Sequence, residues 1–379
     1  MEAESVLLVS DSTMAPAGHG GAAVMWHTAR ALHDANLLHG IASTERVEPF
    51  EDVPRHYLGG DEIGLAPSPW SADYRLAELL SNGNSEIPGA VYMIGAGYCV
   101  SSRWAILNGQ QVISHLLAHN IEESASEFGR FAFDFPYRHL TEPRLLELYT
   151  EHMRASSLLT APSAIPAAYG VRRFGLDWDR IKIIPYGVDL PAQAASPPLL
   201  EPGQELRILH VSQAGLDKGQ IYLMQAVQRL KTFGITAKLK IAGAATTSLP
   251  SMTGGVQPEI DCLGYVSPEE LDELYRWAHV FVLPSVTEAF GLPALEAMAY
   301  SRPVIVTSTA GVVDLVTHGR NGFVSHPRDV EQLVEHLRYL WDHADRLKSL
   351  GEGARAIAEA HPWSRFETKT AAAVKAALE

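Results

Sequence analysis

Short apolar runs alternate along this chain with longer stretches in which apolar side chains recur every three or four positions. That alternation is expected when parallel strands are joined by helical crossovers. In the first half the runs fall at residues 6–9, 38–42, 91–94, 112–116, 158–160 and 182–184, and helical spacing predicts helices over 22–35 and 141–154. Pro191, Pro197, Pro198 and Pro202 then crowd residues 190–203 and predict a linker. A second series opens at Leu206-Arg207-Ile208-Leu209-His210-Val211. The fold class is therefore α/β, doubly wound in each half, with domains over 1–189 and 206–364 joined by 190–205. A length of 379 residues exceeds what one core usually supports, which agrees with two domains.

The most informative segment lies in the second half. His279-Val280-Phe281-Val282-Leu283 reads as a buried strand ended by Pro284-Ser285, and a helix is expected to follow Gly291. Gly291 permits a tight turn, and Pro293 suits a first helical turn, where its missing N–H is harmless. The helix start would present unpaired N–H groups and a positive dipole end, an anion site. Glu288 in the loop and Glu296 about one turn into the helix can both reach a ligand held there. A carboxylate accepts two hydrogen bonds and so suits the vicinal hydroxyls of a sugar or ribose. Read singly, Glu288 is more simply a helix cap and Glu296 a solvated helix residue.

Charge narrows the partners. A formal net charge of -14 argues against general affinity for nucleic acid or anionic lipid. Any anionic ligand must then be captured locally. Cys99 and Cys262 are the only cysteines, too few for a disulfide framework or a zinc site, and both are expected as free thiols in a reducing compartment. No basic flank or cleavage-like site precedes Val6, so a cytoplasmic location is expected. The uncharged stretch 87–102 holds Pro88, Gly89, Gly95 and Gly97 and falls short of a membrane span. Arg172-Arg173, following an apolar stretch, leaves peripheral membrane contact open.

The first strand-to-helix loop, Gly18-His19-Gly20-Gly21-Ala22-Ala23, formally fits Gly-x-Gly-x-x-Ala, with Glu45 near the end of the next strand. A nicotinamide-dependent oxidoreductase therefore has to be weighed. That motif is weak alone, and such an enzyme leaves the glutamate segment unexplained.

The glutamate segment resembles the Glu-x7-Glu signature of retaining glycosyltransferases of family 4. The likeness runs from Leu283-Pro284-Ser285 through Glu288-Ala289-Phe290-Gly291 and Glu296-Ala297-Met298-Ala299. It continues through Arg302-Pro303-Val304-Ile305-Val306 and Gly311 to Asn321-Gly322-Phe323-Val324. Val211-Ser212-Gln213-Ala214-Gly215-Leu216-Asp217-Lys218-Gly219 is similar to the segment whose lysine meets the donor diphosphate, and Leu263-Gly264-Tyr265-Val266 to the turn whose backbone reads the nucleobase. The resemblance implies a GT-B architecture, two Rossmann-like domains facing across a cleft, with a last helix over 365–379 crossing back to the first domain. It implies His119, Lys218 and Glu288 as catalytic residues. The donor contacts it implies are Gly20, Gly21, Gln213, Lys218, Tyr265, Val266, Glu288, Ala289, Phe290, Gly291, Leu292 and Glu296. Glu296 would take the nucleotide ribose and Glu288 the sugar.

The expected reaction is transfer of a hexose-type sugar from a nucleoside diphosphate sugar to an acceptor hydroxyl with retention. No cofactor or metal is expected: Asp177-Trp178-Asp179 matches a metal-binding pattern of another glycosyltransferase fold, but it precedes a strand and reads as a polar loop. The chain departs from the family pattern in two segments. Gln213 and Asp217 stand where many members carry an arginine, and Tyr186 replaces the usual asparagine in Ile184-Pro185-Tyr186-Gly187-Val188-Asp189. The first departure removes a positive charge and keeps a catalytically silent sugar-binding module in view. The likeness is thin over the first 180 residues, so a small-molecule, glycan or lipid-linked acceptor and a homodimer all stay open.

Overall fold

The computed structural model describes residues 5–10, 21–43, 52–57, 75–80, 88–94, 99–116, 121–130, 143–193, 195–196, 199–201, 203–249 and 257–379. Gly20 and His119 lie outside the described residues. The chain divides into two compact units, one of Met1–His119, Tyr137–Tyr186 and Trp363–Glu379, the other of Asn120–Pro136 and Gly187–Pro362.

The first unit carries seven described strands, β1 (Val6–Ser10), β2 (Leu38–Ser43), β3 (Arg55–Tyr57), β4 (Ala90–Ile94), β5 (Gln111–His115), β6 (Leu158–Ala161) and β7 (Ile181–Ile183). All pair in parallel, in the order β3-β2-β1-β4-β5-β6-β7. Its helices are α1 (Gly21–Asp34), α2 (Cys99–Leu107), α4 (Pro143–Ala155), α5 (Ala164–Phe174) and the final α11 (Trp363–Leu378), with α3 (Ile121–Arg130) belonging to the second unit. Successive strand residues point to opposite faces. Val6, Leu8 and Tyr92 pack with Met25 and Leu32 of α1 and Val374 of α11 on one side. Leu7, Val9, Val91 and Met93 pack with Leu76, Leu80 and Ala105 on the other. That two-sided burial is why the strands read as unbroken apolar runs.

His27 fastens α11 onto this unit: its ring stacks on Trp363 at 4.1 Å, and Nδ1 lies 2.6 Å from Glu367 Oε1. The helix begins at Trp363, two residues before the 365–379 span that the resemblance implies. Tyr186, the residue that departs from the family's turn, is buried with its hydroxyl 2.7 Å from His115 Nε2. β3 is not foreseen by apolar pattern, because Arg55-His56-Tyr57 is a short polar edge strand.

The second unit carries β8 (Leu206–Val211), β9 (Ala237–Ala242), β10 (Ile260–Gly264), β11 (Val280–Leu283), β12 (Val304–Thr307) and β13 (Gly322–Ser325), parallel, in the order β10-β9-β8-β11-β12-β13. Around them lie α6 (Gln220–Leu230), α7 (Pro268–Trp277), α8 (Leu292–Ala299), α9 (Val330–Asp342) and α10 (Arg346–Glu359). Ile208, Leu239, Val280, Val282 and Ile305 form the core with Leu223, Val227, Leu333 and Leu337. Leu200 of the proline-rich stretch is buried in the same core, and Arg302 Nη1 donates to Ser196 O at 3.1 Å. Ser267 and Glu270 form a capping box that starts α7 after β10. Among the described residues no helix is long and apolar enough to cross a membrane.

Candidate active site at the switch point of the second sheet

Chain order reverses between β8 and β11, which are neighbours in the sheet although β9 and β10 intervene in sequence. Loops leaving the carboxyl ends of two such strands diverge, and the crevice between them is where ligands bind in open parallel sheets. Here the loops are 212–219 and 284–291.

Buried Gln220 shapes the first loop. Its Nε2 donates to Ser212 Oγ at 2.7 Å and to the Gln213 carbonyl at 2.9 Å, while its Oε1 accepts from Gly215 N at 3.2 Å. A 3-10 turn over Leu216–Lys218 follows, closed by Gly219 at φ +70°. A Cβ on Gly219 would overlap the Pro284 carbonyl, so glycine permits the two loops to touch. Val286 N donates to the Asp217 carbonyl at 2.7 Å, a second tie between them. Lys218 Nζ then reaches Glu288 Oε2 at 2.7 Å, each side chain about one-fifth exposed.

The second loop is braced from beyond it. Glu288 N donates to Thr309 O at 3.3 Å, its carbonyl accepts from Gly311 N at 3.1 Å, and Val312 N donates to Phe290 O at 2.6 Å. Gly291, at φ +98°, turns the chain into α8, whose start has no side-chain cap. Ala289, Phe290 and Leu292 bury their side chains, which leaves only backbone atoms of these three for a ligand. Glu296 lies one turn into α8, and its Oε2 accepts a hydrogen bond from the hydroxyl of Tyr275 at 2.6 Å.

Beneath the loops His210 is buried. Its Nδ1 sits 2.8 Å from the Val282 carbonyl and its Nε2 2.7 Å from Ser212 Oγ. Burial lowers its pKa to about 4, and the nearby Lys218 cation acts in the same direction, so the ring is neutral at pH 7 and supports the loop. Gln213 is exposed and anchors the loop by its carbonyl. Asp217 is buried and accepts from Ser124 Oγ of α3 at 3.0 Å. The two positions that depart from the family's arginines thus serve loop shape and helix docking.

Tyr265 and Val266 follow β10, two strands from β8, a displacement of about 10 Å at the usual strand spacing. Gly264 holds that turn, its N donating to Thr246 Oγ1 at 2.9 Å and its carbonyl accepting from Gly243 N at 2.7 Å. Tyr265 is 81% exposed, so a planar ligand can reach it. Gly21 opens α1 in the first unit. The structure therefore gathers Gln213, Lys218, Glu288, Ala289, Phe290, Gly291, Leu292 and Glu296 at the switch point, with Tyr265 and Val266 along the same sheet edge.

Sequence reading missed Tyr275, Gln220 and His210. Only His210 carried a local signal, as a lone polar side chain inside an apolar run. Asp177 of the Asp-x-Asp pattern accepts from Asp179 N at 3.0 Å and so caps a short 3-10 turn. Among the described residues no group of three or more His, Cys, Asp or Glu is placed to hold a metal.

Residues 192–357 match the family described as glycosyl transferases group 1. An uncharacterized glycosyltransferase of Methanocaldococcus jannaschii is 32% identical over 180 residues, 46% of this chain and 46% of its own length. A D-inositol 3-phosphate glycosyltransferase of Pseudarthrobacter chlorophenolicus is 29% identical over 63% of this chain and 60% of its own. The chain thus spans about half the length of the curated relatives it matches. The solved sucrose-phosphate synthase of Thermosynechococcus elongatus shares the fold with a TM-score of 0.75 at 17% identity, over 97% of either chain. HepE of Anabaena, solved in complex with UDP-glucose, does so with a TM-score of 0.70 at 17% identity, over 97% of this chain and 98% of its own.

Proposed function

We propose that this chain, whose residues 192–357 match the glycosyl transferases of group 1 and whose two Rossmann-like units have a GT-B fold, transfers a sugar from a nucleoside diphosphate sugar to an acceptor hydroxyl. The observation that carries this reading is the Lys218–Glu288 pair at the switch point, with Glu296 one turn into α8. A diphosphate needs a cation and N–H donors, and a ribose and a hexose each need a carboxylate; Lys218, the start of α8, Glu288 and Glu296 all stand at the carboxyl edge of this sheet. The turn at Tyr265 and Val266 lies where a base about 10 Å from the phosphates would fall. UDP-glucose, with which HepE of Anabaena was solved in complex, is of this chemical class.

In the proposed reaction the bond from the anomeric carbon to the diphosphate breaks, and its electron pair leaves on the phosphate oxygen. The acceptor oxygen bonds to that carbon from the same face, and the acceptor proton departs with the diphosphate, so configuration is retained. Lys218 and the α8 start stabilise the departing charge. Arrival of the diphosphate draws Lys218 from Glu288, whose carboxylate then takes the sugar hydroxyls. His119 would face the developing positive charge on the sugar, and Gly20 and Gly21 would offer backbone contacts. Neither a cofactor nor a metal has a part in this scheme, and the donor sugar is a hexose.

Nucleoside diphosphate release is the assay. Among UDP-, GDP- and ADP-hexoses, one donor is expected to be hydrolysed slowly or transferred, with activity surviving EDTA. Lys218→Ala and Glu288→Ala should each lower the rate about 10²–10³-fold. Undiminished turnover in both variants overturns the site assignment, and stabilisation of the protein by NAD alone favours an oxidoreductase.

A further inference from the structure

Glu296 does not stand alone on its helix. Its Oε2 accepts from the hydroxyl of Tyr275, 21 residues earlier on α7, at 2.6 Å. The same hydroxyl lies 3.2 Å from the Pro293 carbonyl. A phenol has one proton, and the shorter, charge-assisted contact to the carboxylate takes it. The ring itself cannot shift: Tyr275 is 2% exposed, stacked on Tyr300 at 5.1 Å between centroids and packed against Phe281 at 6.1 Å. Tyr300 is held in turn, its hydroxyl donating to Asp272 Oδ1 at 2.6 Å, and Asp272 accepts from Arg276 Nε at 2.7 Å.

We infer that Tyr275 is a positioning residue: it fixes the Glu296 carboxylate for the paired 2′- and 3′-hydroxyls of a ribose, and so makes the site select ribonucleoside over dideoxyribonucleoside ligands. The inference rests on the transferase reading above. A glutamate has three rotatable side-chain bonds, and a carboxylate free to rotate loses that freedom when two hydroxyls bind it. Here one oxygen is already committed to a donor that cannot move, and a carboxylate has about four lone-pair sites, so capacity for a vicinal diol remains. Burial also raises the Tyr275 pKa, with Glu296 adding to the effect, which keeps the phenol a donor throughout the working range. A tyrosine serving only the core would need its ring but no carboxylate partner.

Isothermal titration of UDP, GDP and ADP, each beside its 2′,3′-dideoxy counterpart, tests the assignment. The unaltered protein should prefer the ribose form of the ligand it binds. In Tyr275→Phe the Kd of that ribonucleotide should rise about tenfold while the dideoxy ligand is unaffected, so the preference shrinks. Tyr300→Phe removes a hydroxyl from the stacked neighbour without touching Glu296, and it should leave the ribose preference intact. Equal weakening of both ligand forms in Tyr275→Phe, an unchanged preference in it, or loss of the preference in Tyr300→Phe overturns the Tyr275 assignment alone. Failure of the unaltered protein to bind any of the three ribonucleotides overturns the transferase reading itself.

Discussion

At Gly219 one backbone conformation decides whether the two loops of the candidate site can meet. Alanine at φ +70° is strained by about 1 kcal/mol, and here its Cβ would also press on the Pro284 carbonyl, which belongs to backbone and cannot rotate aside. Gly234 has nearly the same φ, +74°, and a methyl added there would meet nothing within 4 Å, so it supplies the comparison. Gly234→Ala should cost about 1 kcal/mol and Gly219→Ala about 2–4 kcal/mol, read from urea unfolding, the difference being the clash alone. Equal costs would show that the loops can part without penalty. This level is also where legibility divides. The placement of Lys218, Glu288 and Glu296 beyond the ends of β8 and β11 was readable, that of Lys218 through the family resemblance and that of the glutamates through the strand-to-helix pattern. Tyr275 was not, because a tyrosine in Glu270-Leu271-Asp272-Glu273-Leu274-Tyr275 is an ordinary apolar helix position until the fold brings Glu296 to it.

Elements repeat that division. The strands at 6–9, 38–42, 91–94 and 158–160 were legible to within a residue at each end, because burial keeps these short runs mainly apolar. Helix α3 was not legible, since its docking is polar. Glu127 is fully buried with Arg328 Nε at 2.7 Å and the Tyr222 hydroxyl beside it, while Arg328 Nη2 meets Glu123 Oε1 at 2.6 Å. Arg328 adopts φ +67°, a conformation an arginine occupies only when its surroundings hold it there. Arg328→Met leaves a buried carboxylate without its chief cation and should destabilise the protein by about 3–5 kcal/mol. The double variant Glu127→Gln with Arg328→Met should be more stable than Arg328→Met alone, because the orphaned charge is gone. Chemical denaturation of the parent, Arg328→Met, Glu127→Gln and the double variant measures the coupling, and strict additivity would show that the pair contributes nothing.

Across the whole molecule, buried imidazoles set the response to acid. His115 and His152 in the first unit and His210 in the second are fully buried, and burial lowers each pKa from 6.5 to about 4. His115 lies between two hydroxyls, Thr160 Oγ1 and Tyr186 OH, both at 2.7 Å, and His152 lies 3.0 Å from Ser114 Oγ. Hydroxyl and carbonyl neighbours of this kind do not repay the loss of hydration that a charged ring would suffer there. Below about pH 6.5 the unfolded chain takes up protons at these positions while the folded chain does not until about pH 4, so stability falls as pH falls through that window. Each ring contributes stability that is complete above pH 6.5 and diminished by about 2 kcal/mol at pH 5. Thermal unfolding followed from pH 7.5 to pH 5 should therefore show a steep decline in Tm. His152→Gln should flatten that decline relative to its own value at pH 7.5, since glutamine does not titrate. A Tm that holds constant or climbs on acidification would mean that these rings are already charged in the fold, and the hydroxyl-only surroundings of His115 would then be incompatible with it.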